Sequence, residues 1–95
     1  MEVIWTEEAV NDYHQNIEYL LAEWSETVAI DFIEDVDATL ELIKLLPEMF
    51  PLSDYQSVRK EVILKQISLF YRVDGEKIFL LRFWNNYKNP DALKL

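Results

Sequence analysis

The chain has 95 residues, of which 51% are hydrophobic and 14% aromatic, with one Gly, three Pro and no Cys. That length and composition describe one folded domain, residues 1–95, and exclude a disordered segment, a disulfide scaffold, thiolate catalysis and cysteine metal sites. The net charge of −9 is unevenly spread: residues 1–54 hold fourteen acids and a single base, Lys44, a balance of −13, whereas residues 55–95 hold eight bases and four acids, a balance of +4.

Glu2 to Trp5 reads as a short strand. Thr6 is an N-cap candidate, followed by Glu7 and Glu8, whose carboxylates suit a helix dipole. Val10, Tyr13, Ile17, Leu20, Leu21 and Trp24 then recur at helical spacing. Ser25 is a second N-cap candidate, and Val28, Ala29, Phe32, Ile33, Val36, Leu40, Ile43 and Leu46 repeat the pattern until Pro47 stops it. The two segments predict a helical hairpin. Residues 47–56 read as a connecting loop with two prolines. Val58–Leu64, Ile67–Val73 and Lys77–Asn85 predict three strands, with Asp74-Gly75 as a hairpin signal between the last two. The order β-α-α-β-β-β predicts an α+β fold, a helical hairpin packed on one face of a twisted antiparallel sheet.

Alternation in the last strand divides Ile78, Leu80, Arg82 and Trp84 from Phe79, Leu81 and Phe83. The second set is the more uniformly apolar and is expected to lie under the helices. Arg82 and Trp84 then face the open side, where Arg72 of the preceding strand is expected to join Arg82. The N-terminus carries acids where a secretory leader needs bases, and no run reaches the ~18 apolar residues of a membrane span. A cytoplasmic protein with no membrane partner is expected.

Sites of familiar chemistry are sparse. His14 is the only histidine and lies on the acidic helix. Asp31, Glu34, Asp35, Asp37 and Glu41 follow a solvated helix face, and the single glycine rules out a glycine-rich phosphate loop. No metal site and no cofactor are expected. The basic half differs: Arg59, Lys60, Lys65, Arg72, Arg82 and Lys88 interleave with Tyr71, Trp84 and Tyr87. Cations neutralise phosphates and aromatic faces stack on bases. Such a set suits RNA cleavage without a metal, and equally suits strand-edge charges that deter aggregation.

The early VIWTEEAVNDY, the central VRKEVI and above all LFYRVDGEKIFLLRFWNNYKNPDAL resemble the RelE/ParE superfamily of bacterial type II toxin–antitoxin toxins over residues 3–94. The resemblance implies the fold just described and a cytoplasmic toxin neutralised by a cognate antitoxin, with a toxin–antitoxin heterotetramer as one assembly. It implies DNA gyrase or ribosome-bound mRNA as the target. In the nuclease branch, a metal-independent endoribonuclease, the matching cluster is Arg59, Lys65, Arg72, Arg82, Tyr87 and Lys88. The target-facing residues are Arg82, Trp84, Asn86, Tyr87 and Lys88. Several positions depart from the nuclease pattern. Glu61 reverses the sign of a basic position, Ser68 stands where an arginine is common in both nuclease and gyrase-type members, and Asn86 replaces a histidine before Tyr87. The reading therefore leans towards the gyrase-inhibiting ParE branch, with the nuclease and a non-toxic antitoxin-binding scaffold as alternatives. On this reading Arg82→Ala and Tyr87→Ala each abolish growth inhibition and leave the fold intact, scored by colony formation after induction beside circular dichroism.

Overall fold

The computed structural model describes residues 1–95. The elements are β1 (Glu2–Trp5), α1 (Glu7–Glu23), α2 (Glu26–Leu45), β2 (Arg59–Leu64), β3 (Ile67–Asp74), β4 (Lys77–Asn85) and a 3-10 turn, Pro90–Ala92. Both caps form as expected. The Thr6 hydroxyl accepts from the Ala9 N–H and that of Ser25 from the Val28 N–H. α2 ends before Pro47, where the residue preceding a proline is pushed out of helical geometry.

The sheet order is β1-β4-β3-β2, and it is mixed, not wholly antiparallel: β1 pairs with β4 in parallel, Glu2 opposite Lys77 through Trp5 opposite Leu80. The path of the chain after β1 requires this direction. Thr6 donates to the Leu80 carbonyl, and α1 then runs on beside the rest of β4, so that Trp24 at its end stacks on Tyr87 beyond the end of β4. Only a parallel β1 delivers the chain in that direction. β2, β3 and β4 are antiparallel as expected, and Gly75 takes a φ of 62° in the two-residue turn between Asp74 and Lys77.

The face assignment in β4 changes midway. Phe70 pairs with Arg82 and Tyr71 with Leu80, so Leu81 is an extra residue in a β-bulge. Before it, Ile78 and Leu80 face the helices; after it, Phe83 does. Leu81 packs on the opposite side, and Phe79 lies opposite exposed Arg72, against the expectation that both support the helices. A one-residue insertion shifts the phase of alternation, which no regular period can reveal.

The main core joins Leu20, Phe32, Val36 and Ile43 of the helices to Leu69, Tyr71, Leu80 and Phe83 of the sheet. Trp5, Tyr13, Phe32 and Phe83 form an aromatic lattice with ring centroids 5.2–6.1 Å apart. On α1 the inward line includes Ala9 and Asn16, whereas Val10, Leu21 and Trp24 of the expected stripe are exposed. A smaller cluster, Val58, Phe70, Trp84 and Leu93, covers part of the other sheet face.

Burial, and secondarily Asp37, raises the Tyr13 pKa above its usual 10.0. Burial also raises that of Tyr71, against the pull of Arg59. The protonated phenols are therefore favoured in the fold. Their contribution to stability is complete below about pH 10 and is lost as pH rises through the folded-state values. Urea midpoints should accordingly fall as pH rises above about 10, and Tyr13→Phe should blunt that fall. An alkaline stability profile indifferent to Tyr13→Phe would contradict this.

Candidate functional site

β1 covers only the first half of the β4 edge, and the second half is completed by side chains. The Asp12 carboxylate accepts from the Phe83 N–H at 3.1 Å, and the Asn16 amide donates to the Phe83 carbonyl at 2.8 Å. Asp12 also accepts two hydrogen bonds from Arg82, at 2.6 Å from Nε and 3.0 Å from a terminal nitrogen. The pair is mostly buried, and the hydrogen bond to Asp12 raises the Arg82 pKa and keeps it charged. The remaining terminal nitrogen of Arg82 donates to the Lys94 carbonyl, tying down the tail.

Arg82 is thus committed to the fold, which corrects the expectation that Arg82→Ala would spare it. Arg59 is committed too. Its guanidinium donates to the carbonyls of Glu48 and Phe50, and the nearby Tyr71 hydroxyl donates to that of Pro47. Together they capture the loop that leads into β2.

The other residues singled out in the sequence fall into separate places. Trp84, Asn86 and Lys88 line a cavity of about 560 Å³ on the open sheet face, together with Lys60, Phe70 and Tyr55. Lys60 Nζ lies 5.6 Å from the Phe70 ring centre and Lys88 Nζ 5.7 Å from that of Trp84. Tyr87 turns to the α1–α2 junction, where its ring stacks on Trp24 at 6.4 Å, and Lys65 Nζ sits 5.0 Å from the same indole. Arg72 is exposed on the open face, whereas Asp12 holds Arg82 at the β4 edge. Ser68 is fully buried and donates to Asn86, whose amide donates in turn to the Lys65 carbonyl. His14 is exposed.

Sequence reading missed Asp12 and Asn16 as determinants, although their three- and four-residue spacing from Ala9 and Leu20 places them on the inward face of α1. It named Lys60 only as one base among many, and gave no sign that Tyr55 and Leu93 would wall the cavity with it. The helix carboxylates do not converge; no group of three potential metal-ligating side chains forms. No helix is long and apolar enough to cross a membrane.

A family model described as the ParE toxin of the type II toxin–antitoxin system parDE matches residues 3–89. The chain belongs to the ParE toxin family. No curated protein matches it. Among solved structures it is similar to a chain of the chromosomal ParDE system from P. aeruginosa, with a TM-score of 0.73 and 19% identity over 90% of this chain and 95% of that one. It is also similar to a YoeB/ParE toxin from Agrobacterium tumefaciens, with a TM-score of 0.66 and 17% identity over 92% and 100% of the two chains. A YoeB–YefM toxin–antitoxin heterotetramer from Staphylococcus aureus gives a TM-score of 0.63 and 15% identity over 92% and 98%. At such identities these structures speak for the fold. The ParE toxins' helical hairpin on a mixed sheet is the arrangement found in this chain.

Asp12→Ala leaves a mostly buried guanidinium and the Phe83 N–H unpaired. It should cost about 3 kcal/mol, measured as a lower urea midpoint, and loosen the tail. Wild-type stability in this variant would show that Asp12 is dispensable.

Proposed function

We propose that this chain is a ParE-type toxin that acts by binding DNA gyrase, is neutralised by a cognate antitoxin, and does not cleave RNA. The observation that carries this reading is the dispersal of the cationic set. Of the six residues a nuclease would draw on, Arg82 commits all three of its nitrogens and Arg59 one terminal nitrogen to internal oxygens, while Arg82 shares the Trp84 ring with Lys88, at 5.3 Å from its centre. Lys65 and Tyr87 lie against Trp24, and Lys88 lies against Trp84. Phosphoryl transfer needs cations and a proton-moving group held on one reacting centre.

Membership of the ParE family supports gyrase as the target, and it supports an antitoxin partner. The similar YoeB–YefM complex is itself a heterotetramer, which supports the same kind of assembly here. The acidic helical half weighs against docking on ribosomal RNA, since like charge lowers both the rate and the strength of association.

Induced expression without antitoxin, with pulse labelling of DNA and protein, tests the proposal. DNA synthesis should fall first, cells should filament and transcripts should stay intact. An immediate stop in protein synthesis with cut transcripts would assign the nuclease activity instead, and unaffected growth would leave only antitoxin binding. Tyr87 is 59% exposed, so Tyr87→Ala should preserve the fold. With purified gyrase it should weaken supercoiling inhibition by roughly tenfold or more, as loss of an exposed aromatic anchor does.

A further inference from the structure

Three of the four buried polar residues, Gln66, Ser68 and Asn85, gather where the β2–β3 turn meets the end of β4. The fourth, Asn16, serves the β4 edge. Buried polar groups are costly unless hydrogen-bonded, and a satisfied network of them holds one arrangement. Ser68 Oγ donates to the Asn86 side-chain oxygen at 3.0 Å, and the Asn86 amide donates to the Lys65 carbonyl at 3.1 Å. The Asn86 backbone N–H donates to the Gln66 carbonyl at 2.6 Å. Asn85 accepts from the Tyr87 N–H at 2.9 Å with its side chain, and from the Lys88 N–H at 3.0 Å with its carbonyl. Residues 85–88 are thereby tied to the β2–β3 turn at a place where a strand end ordinarily frays.

What these bonds hold in place is exposed. Tyr87 is 59% and Trp24 41% exposed, and their rings stack at 6.4 Å with 26° between the planes. Lys65 Nζ lies 5.0 Å from the Trp24 ring centre and is in no ion pair. From the helix side, the indole N–H of Trp24 donates to the Tyr19 hydroxyl. Leu21, one turn before Trp24 on α1, is exposed as well and extends the apolar surface. Exposed Trp and Tyr are the side chains that most often anchor protein interfaces. A ring already held in its docking position loses less freedom when a partner arrives. The free ammonium of Lys65 adds a requirement for a carboxylate on that partner.

We propose that Ser68 and Asn86 are positioning residues: they set Tyr87 and Lys65 against Trp24 and so preform one contact surface for gyrase, on a patch of the target that offers an apolar side chain and a carboxylate. The inference rests on the gyrase reading above and adds how the Tyr87 contact is held and which residues share it. The side-chain oxygen and amide of Asn86 are both engaged inside the chain, so Asn86 acts through Tyr87 and Lys65.

The test is supercoiling inhibition of purified gyrase by wild type, Ser68→Ala, Asn86→Ala, Tyr87→Ala and the double variants of the first two with Tyr87→Ala, beside NMR spectra of the same free proteins. Ser68→Ala and Asn86→Ala should keep dispersed spectra, lose the ring-to-ring NOEs between Trp24 and Tyr87, and inhibit roughly three- to tenfold more weakly. Neither should weaken inhibition further in the Tyr87→Ala background. Asn86 is exposed, so its variant decides the matter even where Ser68→Ala fails to fold. Intact NOEs, undiminished inhibition, or a loss that simply adds to that of Tyr87→Ala would each overturn the positioning role and leave the gyrase reading standing. A wild type that does not inhibit gyrase would overturn both. Weaker calorimetric binding to the protein encoded beside it, with gyrase inhibition unchanged, would give the surface to the antitoxin and overturn the proposal.

Discussion

The second half of the β4 edge must be satisfied without a strand, and the rest of the structure depends on how that is done. β1 stops opposite Leu80, yet Phe83 beyond it is fully inside the core. A backbone N–H and C=O left unpaired there would each cost about 1–3 kcal/mol. Asp12 and Asn16 of α1 supply the missing acceptor and donor. The arrangement pins α1 to the sheet at a fixed height, and it depends on the bulge at Leu81, which brings Phe83 inward. An aspartate buried at that edge requires a counter-charge, and Arg82 provides it.

That solution reaches as far as the open face. Because Arg82 also donates to the Lys94 carbonyl, the clamp that fixes α1 fixes the C-terminal tail. The tail places Leu93 against Phe70 and Trp84 and forms one wall of the cavity. On the other side, Arg59 and Tyr71 hold the carbonyls of the 47–50 loop, which continues into the Leu52–Tyr55 wall. Two strand residues that look like site cations are therefore what gives the site its shape. The cations left over on the open face are Lys60, Lys88 and Arg72.

The charge split acquires a structural meaning from this arrangement. The acidic residues of α2 lie along its exposed side, while Lys60, Arg72 and Lys88 lie on the side of the sheet that the helices leave open or in the tail over it. The two faces repel and attract different partners. A partner is discriminated first by which face it approaches.

Much of the fold was legible in residue order. Periods of 3.6 and 2, the caps Thr6 and Ser25, the stop at Pro47 and the turn at Gly75 are local signals, set by backbone geometry within a few residues of where they act. They determined the element sequence, the α+β class and the open-face position of Trp84. Tertiary structure alone decided the parallel direction of β1, the phase shift at Leu81, the use of Arg59 and Arg82 inside the fold, and the turning of Tyr87 towards Trp24. Each of these depends on a partner far away in the chain: Leu80 for Thr6, Phe83 for Asp12 and Asn16, Arg82 for Asp12, and Glu48 and Phe50 for Arg59. A period records which residues prefer to be buried; it carries no record of which distant group a charged side chain will meet once they are.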